Sequence, residues 1–291
     1  MGLRLVTSST IIARVDAQDP AAFVRFYDAT YSRESAQADV GTRWRALGAL
    51  NKADHVIALC ARAGLWADGR TGGHPINTLD VGCGDGALLC ELRRRGFGGR
   101  LTGVEITQAA VEIARGRAEI DAVELYDGIH LPIADGTYEL GVLSHVLEHV
   151  PDPAALLGEV ARACRAVVVE VPLEDNLSAR RASKRVHATE VGHLQRLSRS
   201  AVREIVARAG LSLLAELDDP LPLEFHRFFA VDARTRAAGS TKWAVRASVH
   251  RLSPALARRL FTLHYACVCA APTVEPAPDC PQPPARERPA G

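Results

Sequence analysis

The stretch Thr78-Leu79-Asp80-Val81-Gly82-Cys83-Gly84-Asp85-Gly86 is compatible with few folds. An apolar strand runs into a turn with glycine at alternate positions, and the helical pattern Ala87 to Arg95 begins directly after it. Glycines at 82, 84 and 86 carry no Cβ and tolerate positive φ, so a ligand can lie against bare backbone. The helix that follows aims its N-terminal amides at the same place. A second strand, Arg100-Leu101-Thr102-Gly103-Val104-Glu105, then ends in a carboxylate. That is where nucleotide-binding α/β sheets hold ribose hydroxyls.

The glycine spacing departs from the G-x-G-x-x-G of a dinucleotide site. Asp80 and Asp85 flank the turn, where they would repel a pyrophosphate but suit a ligand bearing an amino group and a sulfonium. A dinucleotide oxidoreductase is disfavoured on both counts.

Strands and helices alternate from this point, the pattern of a parallel sheet covered on both faces. Strands are expected at 77–82, 100–105, 122–126, 138–143, 166–171 and 211–217, and helices at 86–96, 108–119, 153–163 and 198–209. A final strand at 261–270 is expected to run antiparallel. Before the turn, Asp19-Pro20 opens one helical pattern carrying Phe23, Phe26, Tyr27 and Tyr31, and a second runs from about 42 to 64. The segment 220–259 is too long for a hairpin and, with Trp243, Val245, Val249 and Leu252, reads as a helical insertion. The organisation expected is an N-terminal helical arm over 1–75 and a core domain over 76–271 with insertions at about 172–197 and 220–259. A Pro-rich tail over 272–291 cannot build a core and is expected to be disordered.

The turn resembles the first motif of class I S-adenosylmethionine (SAM)-dependent methyltransferases, an acid-x-Gly-x-Gly-x-Gly. The likeness continues through Asp127-Gly128-Ile129-His130-Leu131-Pro132 and Ser144-His145-Val146-Leu147-Glu148-His149-Val150-Pro151-Asp152-Pro153. Over roughly 76–217 the chain is similar to the "type 11" branch that includes ubiquinone-biosynthesis-type enzymes. The resemblance implies an α/β, Rossmann-like fold: a seven-stranded, mostly parallel sheet with its last strand antiparallel, plus a helical lid. It implies SAM as cofactor and methyl transfer as the activity, placed in secondary or cofactor metabolism.

Carried onto this chain, the resemblance gives Asp80 the cofactor's amino end and the backbone of Gly82, Cys83, Gly84 and Gly86 its methionine part. Glu105 would accept both ribose hydroxyls, Ile106 would pack on adenine, and Asp127 with Gly128 would meet the adenine amino group. Ser144 would line the sulfonium side, and Tyr27 and Tyr31 are either an amphipathic stripe or a cover over the cofactor. Histidine is the usual base for removing an acceptor proton, and His145, His149, His187 and His193 fall beyond the carboxyl ends of the strands. His145, His193 and His149 are the catalytic candidates. The i, i+3, i+4 spacing of His145, Glu148 and His149 would put them on one helical face, and with His193 they form an alternative metal set. A metal is not favoured; packing and hydrogen bonding are the plainer role.

Arg180, Arg181, Lys184 and Arg185, followed by His187, read either as a solvated face or as a clamp for an anionic substrate, with Arg181, Arg185 and His187 as the substrate contacts. The acceptor expected is a small molecule methylated on oxygen or carbon rather than nitrogen. RNA or protein methylation, and SAM binding by a regulator without transferase activity, are the alternatives. A net charge of +1 with 24% charged residues supplies no broad basic surface for nucleic acid. The absence of a long apolar run, and seven scattered cysteines without zinc spacing, point to a cytoplasmic protein with no membrane partner.

Overall fold

The computed structural model describes Val24, Arg25, Tyr27, Asp28, Tyr31 and residues 38–65 and 76–271. The helix start at Asp19-Pro20, the residues 68–75, the tail beyond 271 and Cys280 lie outside the described residues.

Helix α1 (Ala38–Arg62) precedes seven strands that form one sheet in the order β3-β2-β1-β4-β5-β7-β6. The strands are β1 (Thr78–Val81), β2 (Leu101–Glu105), β3 (Ala122–Leu125), β4 (Tyr138–Ser144), β5 (Cys164–Pro172), β6 (Ser212–Asp219) and β7 (His264–Ala270). β1 to β5 pair in parallel, and β7 inserts antiparallel to both β5 and β6. Parallel neighbours need a crossover, and helices α2 (Ala87–Arg94), α3 (Gln108–Arg115) and α4 (Pro153–Ala163) supply it. The expected elements are present, with ends moved by a few residues.

β5 is an apolar run because both of its faces are covered. Val167, Val169 and Val171 enter the core shared with α4 and with α6 (Arg199–Arg208), while Ala166 and Val168 enter the core shared with α1, α2 and α3. β7 divides the same way, Tyr265, Cys267 and Cys269 against Ala266 and Val268. A one-residue slip would exchange the two sets, so the packing fixes the register. α4 starts where Asp152 accepts from the Ala154 and Ala155 amides, with Pro153 pre-set for the first turn.

After β5 come α5 (Ala182–Glu190) and α6; after β6 come α7 (Leu223–Arg227), α8 (Ala233–Leu252) and α9 (Pro254–Leu260). The segment 220–259 carries the helices α7, α8 and α9. Its apolar residues do not form a buried stripe, however: Val245 is 51% and Leu252 85% exposed, and α8 buries Gly239 and Arg246. Close approach replaces apolar contact here, since a Cβ at Gly239 would lie 2.3 Å from the His226 carbonyl of α7. Trp44 of α1 packs against Phe225, Phe228 and Phe229, with ring centroids 5.0–5.5 Å apart. The last strand begins at His264 and not at 261, because Phe261 is the C-cap of α9. The six described cysteines are buried and free, and no helix among the described residues is long and apolar enough to cross a membrane.

Candidate functional site

The chain crosses from one side of the sheet to the other between β1 and β4, opening a crevice at their carboxyl ends. Asp80 sits inside β1, 3% exposed, and burial pushes its carboxyl up to about 7 against the pull of Lys52. Glu105 closes β2 and reaches across to the glycine turn, its Oε2 accepting from the Gly84 amide at 2.9 Å. Its Oε1 accepts from the Ile106 and Thr107 amides and the Thr107 hydroxyl at 2.7, 3.1 and 3.4 Å. Oε1 is therefore filled and Oε2 retains capacity for a further donor. Burial raises the Glu105 carboxyl although these bonds oppose it.

The turn itself has φ of 73°, 55° and 76° at Gly82, Gly84 and Gly86. A Cβ on Gly84 would lie 2.5 Å from the Tyr31 hydroxyl, so no side chain fits between tyrosine and turn. Cys83 points into the sheet against Gly103. Asp85 is occupied structurally, paired with Arg45 at 2.9 Å and Arg117 at 3.3 Å. Ile106 lies beside Gly128, 3.5 Å from where its Cβ would be. Asp127 is exposed and turns back on its own loop, accepting from the Ile129 and His130 amides and lying 3.0 Å from His130 Nδ1. The His130 bonds hold its carboxyl down to about 2.

Beyond β4 the expected single helical face is not formed. His145 has φ of 61°, a left-handed conformation unusual for a residue with a Cβ, and only Leu147–His149 form a 3-10 turn. His145 therefore turns away from His149. Its Nδ1 lies 3.0 Å from Glu148 Oε1, and its Nε2 lies 3.3 Å from His264 Nδ1 and 3.7 Å from Glu170 Oε1. Burial and the Lys52 ammonium disfavour protonated His145, yet its bonds to Glu148 and Glu170 raise its pKa. Ser144 donates to Glu170 Oε2 at 3.1 Å.

His149 Nδ1 meets the Tyr27 hydroxyl at 2.6 Å and the Gly192 carbonyl at 3.1 Å. His193 Nδ1 lies 3.1 Å from Glu174 Oε2, and its ring stands edge-on to His149 with centroids 4.9 Å apart. Burial lowers the His149 pKa. Despite its burial, Glu148 is held down to about 2 by the imidazoles of His145, His149 and His193. Glu148 Oε2 is buried without a hydrogen-bond partner among the described residues. Donors of Glu148, His149 and His193 lie within 4.8 Å of one another, as do those of His145, Glu170 and His264. The alternative four-residue metal set of the sequence analysis is thus divided between two clusters.

The network extends to α1. His55 Nε2 lies 3.0 Å from Asp219 Oδ2, which Asn51 also contacts, and His55 Nδ1 lies 3.2 Å from Glu170 Oε1 without hydrogen-bond alignment. Burial alone would lower the His55 pKa, but Asp219 and Glu170 raise it from 6.5 to about 9. A folded-state pKa above the unfolded one gives stability that is fully present below 6.5 and lost as pH rises through 9. The urea midpoint of wild type is expected to exceed that of His55→Gln most at pH 6 and to converge with it above pH 9. A pH-independent difference would remove the ion pair as its cause.

Arg181, Arg185 and His187 lie exposed on α5 and at its N-cap. Lys184 and Arg181 of this segment, together with Arg246, bear electrostatically on Lys242 of α8, and none of these four cations forms an ion pair among the described residues. Glu170, His264, His55, Lys52 and Glu174 carry no motif that marks them in the sequence. One signal was available: Glu170 is an acid inside Ala-Val-Val-Val-Glu-Val-Pro, a run otherwise apolar.

The profile of a family described as a methyltransferase domain matches residues 51–216. A curated uncharacterised 37.1 kDa protein of transposon TN4556 from Streptomyces fradiae is 42% identical over 93 residues, covering 31% of this chain and 27% of that protein. A ubiquinone biosynthesis O-methyltransferase from Acinetobacter baylyi is 32% identical over 110 residues, 35% of this chain and 44% of that one. The chain thus spans less than half the length of these curated relatives. Among solved structures, geranyl diphosphate C-methyltransferase from Streptomyces coelicolor superposes with a TM-score of 0.54 at 18% identity, covering 83% of this chain and 87% of that one.

Proposed function

The chain belongs to the methyltransferase-domain family, a class I methyltransferase by fold, and from that premise we propose that it transfers a methyl group from SAM to a small-molecule acceptor. The observation that carries the reading is the pair of buried acids at adjoining strand ends, Asp80 in β1 and Glu105 closing β2, with Glu105 holding the Gly84 amide of the turn between them. Their chemistry fits a ligand with an amino group and a ribose, and the turn between them tolerates no Cβ, since one would collide with Val146, Tyr31 or Ile120. When bound, SAM supplies an activated methyl on a cationic sulfur.

Asp80 would hold the amino end, which would draw its raised carboxyl back to the ionised form. Glu105 Oε2 would take a ribose hydroxyl, Ile106 would flank adenine, and Tyr31 would cover the turn. Asp127 and Gly128 are proposed for the adenine edge. On the acceptor side, His193 is the proposed base: Glu174 holds Nδ1 in place and leaves Nε2 as the nitrogen to accept a proton. His145, with both ring nitrogens facing protein groups, is proposed to orient the pocket, and His149 with Tyr27 to wall it.

Methyl transfer needs the acceptor atom held in line and water excluded. α5 and the helices α7 to α9 are proposed to roof that cavity, with Arg181, Lys184, Arg185, His187, Lys242 and Arg246 favouring an anionic acceptor. A histidine base has most to do for oxygen or carbon, which favours those atoms over nitrogen. Calorimetric titration with S-adenosylhomocysteine and with NAD, followed by S-adenosylhomocysteine release assays on small hydroxylated acceptors, tests the reading. Binding of NAD without S-adenosylhomocysteine would overturn it.

A further inference from the structure

We propose that His145 Nε2, His264 Nδ1 and Glu170 Oε1 form a binding site for a divalent transition-metal ion. The three atoms are 3.3, 3.7 and 3.2 Å apart. Donors arranged around one ion with bonds of about 2.1 Å stand roughly 3.4 Å from one another on a tetrahedron, so these spacings match the edges of a coordination shell. Two imidazoles and one carboxylate suit zinc, iron or manganese better than magnesium or calcium, which prefer all-oxygen shells.

The surroundings resemble an outer shell. Glu148 Oε1 takes the other nitrogen of His145 at 3.0 Å, fixing which nitrogen faces inward, and Ser144 donates to the second oxygen of Glu170 at 3.1 Å. Ligand-orienting bonds of this kind accompany metal-bound histidines and carboxylates. Glu170 lies in β5, His264 opens β7, and His145 directly follows β4. His145 is held in a left-handed backbone conformation that directs its ring to Glu170 and His264, strain of the sort kept at functional positions. Glu170 is buried, whereas His145 and His264 are 23% and 17% exposed, leaving a side from which an ion can enter. Three protein donors leave at least one coordination position for an acceptor oxygen or water.

The neighbouring set of Glu148, His149 and His193 is looser, with 4.0 Å between Glu148 Oε1 and His149 Nε2. The proposal concerns ion binding and stands apart from the methyl-transfer reading. The test is titration of chelator-treated full-length chain with Co2+, read by visible absorption. Wild type is expected to take up one ion, with affinity falling at least tenfold in Glu170→Gln and His264→Ala and staying within threefold in His193→Ala. Circular dichroism of each variant reports whether it is folded; should His264→Ala lose the wild-type spectrum, His264→Gln is read in its place. No saturable uptake by wild type, uptake unchanged in the His264 variant, or loss confined to His193→Ala would each overturn the site. Co2+ uptake without S-adenosylhomocysteine binding would sink the methyltransferase reading and leave this one standing.

Discussion

Replacing Glu105 by alanine is expected to weaken S-adenosylhomocysteine binding at least a hundredfold. Two losses combine. A hydrogen bond from a ribose hydroxyl to a carboxylate is worth about 1.5–3 kcal/mol. The same substitution releases the Gly84 amide and the amides of Ile106 and Thr107, which Glu105 holds in a buried site. Each buried donor left without a partner costs about 1–3 kcal/mol, so the turn proposed to receive the ligand loses its shape as well as its charge. Glu105→Gln keeps the volume and one acceptor oxygen and is expected to lose tenfold to a hundredfold. Calorimetric titration measures both, with circular dichroism confirming the fold. Affinity within threefold of wild type in Glu105→Ala would remove this residue from the cofactor site.

His193→Ala is expected to lower kcat by about 10²–10⁴-fold while S-adenosylhomocysteine affinity stays within threefold. The range is that of removing a positioned general base. Glu174→Gln leaves an acceptor for the Nδ1 proton but removes the charge, so an intermediate loss is expected. Parallel falls in turnover and in cofactor affinity would instead make His193 part of the cofactor pocket or of the fold. Rates of S-adenosylhomocysteine release with a saturating acceptor separate the two.

The proposed cofactor half of the site can be read from sequence because its information is local. Asp80, the glycines and Glu105 occupy two consecutive strand ends, and strand, turn and helix follow directly from their order. Asp127 shows the limit of local reading. It stands in the expected place, yet its oxygens face the amides of its own turn, an ordinary use for an aspartate before glycine. The proposed acceptor half depends on strand order. Residue 264 meets residues 145 and 170 because β7 inserts beside β5, and residue 55 arrives from a helix that reads simply as amphipathic. Nor does spacing anticipate a left-handed residue: the His145-x-x-Glu148-His149 pattern suggests one helical face, and the positive φ of His145 divides it.

The insertion of β7 between β5 and β6 bears on how the chain is made. During synthesis β6 emerges well before the strand it pairs with, and until β7 follows, β5 presents an unpaired edge of valines. Such an edge invites pairing with another chain. A polypeptide ending before residue 264 would keep the glycine turn and both of its acids, but is expected to precipitate. Chaperone dependence should therefore be sharpest for C-terminal truncations, and adding back a few residues past 270 should abolish it.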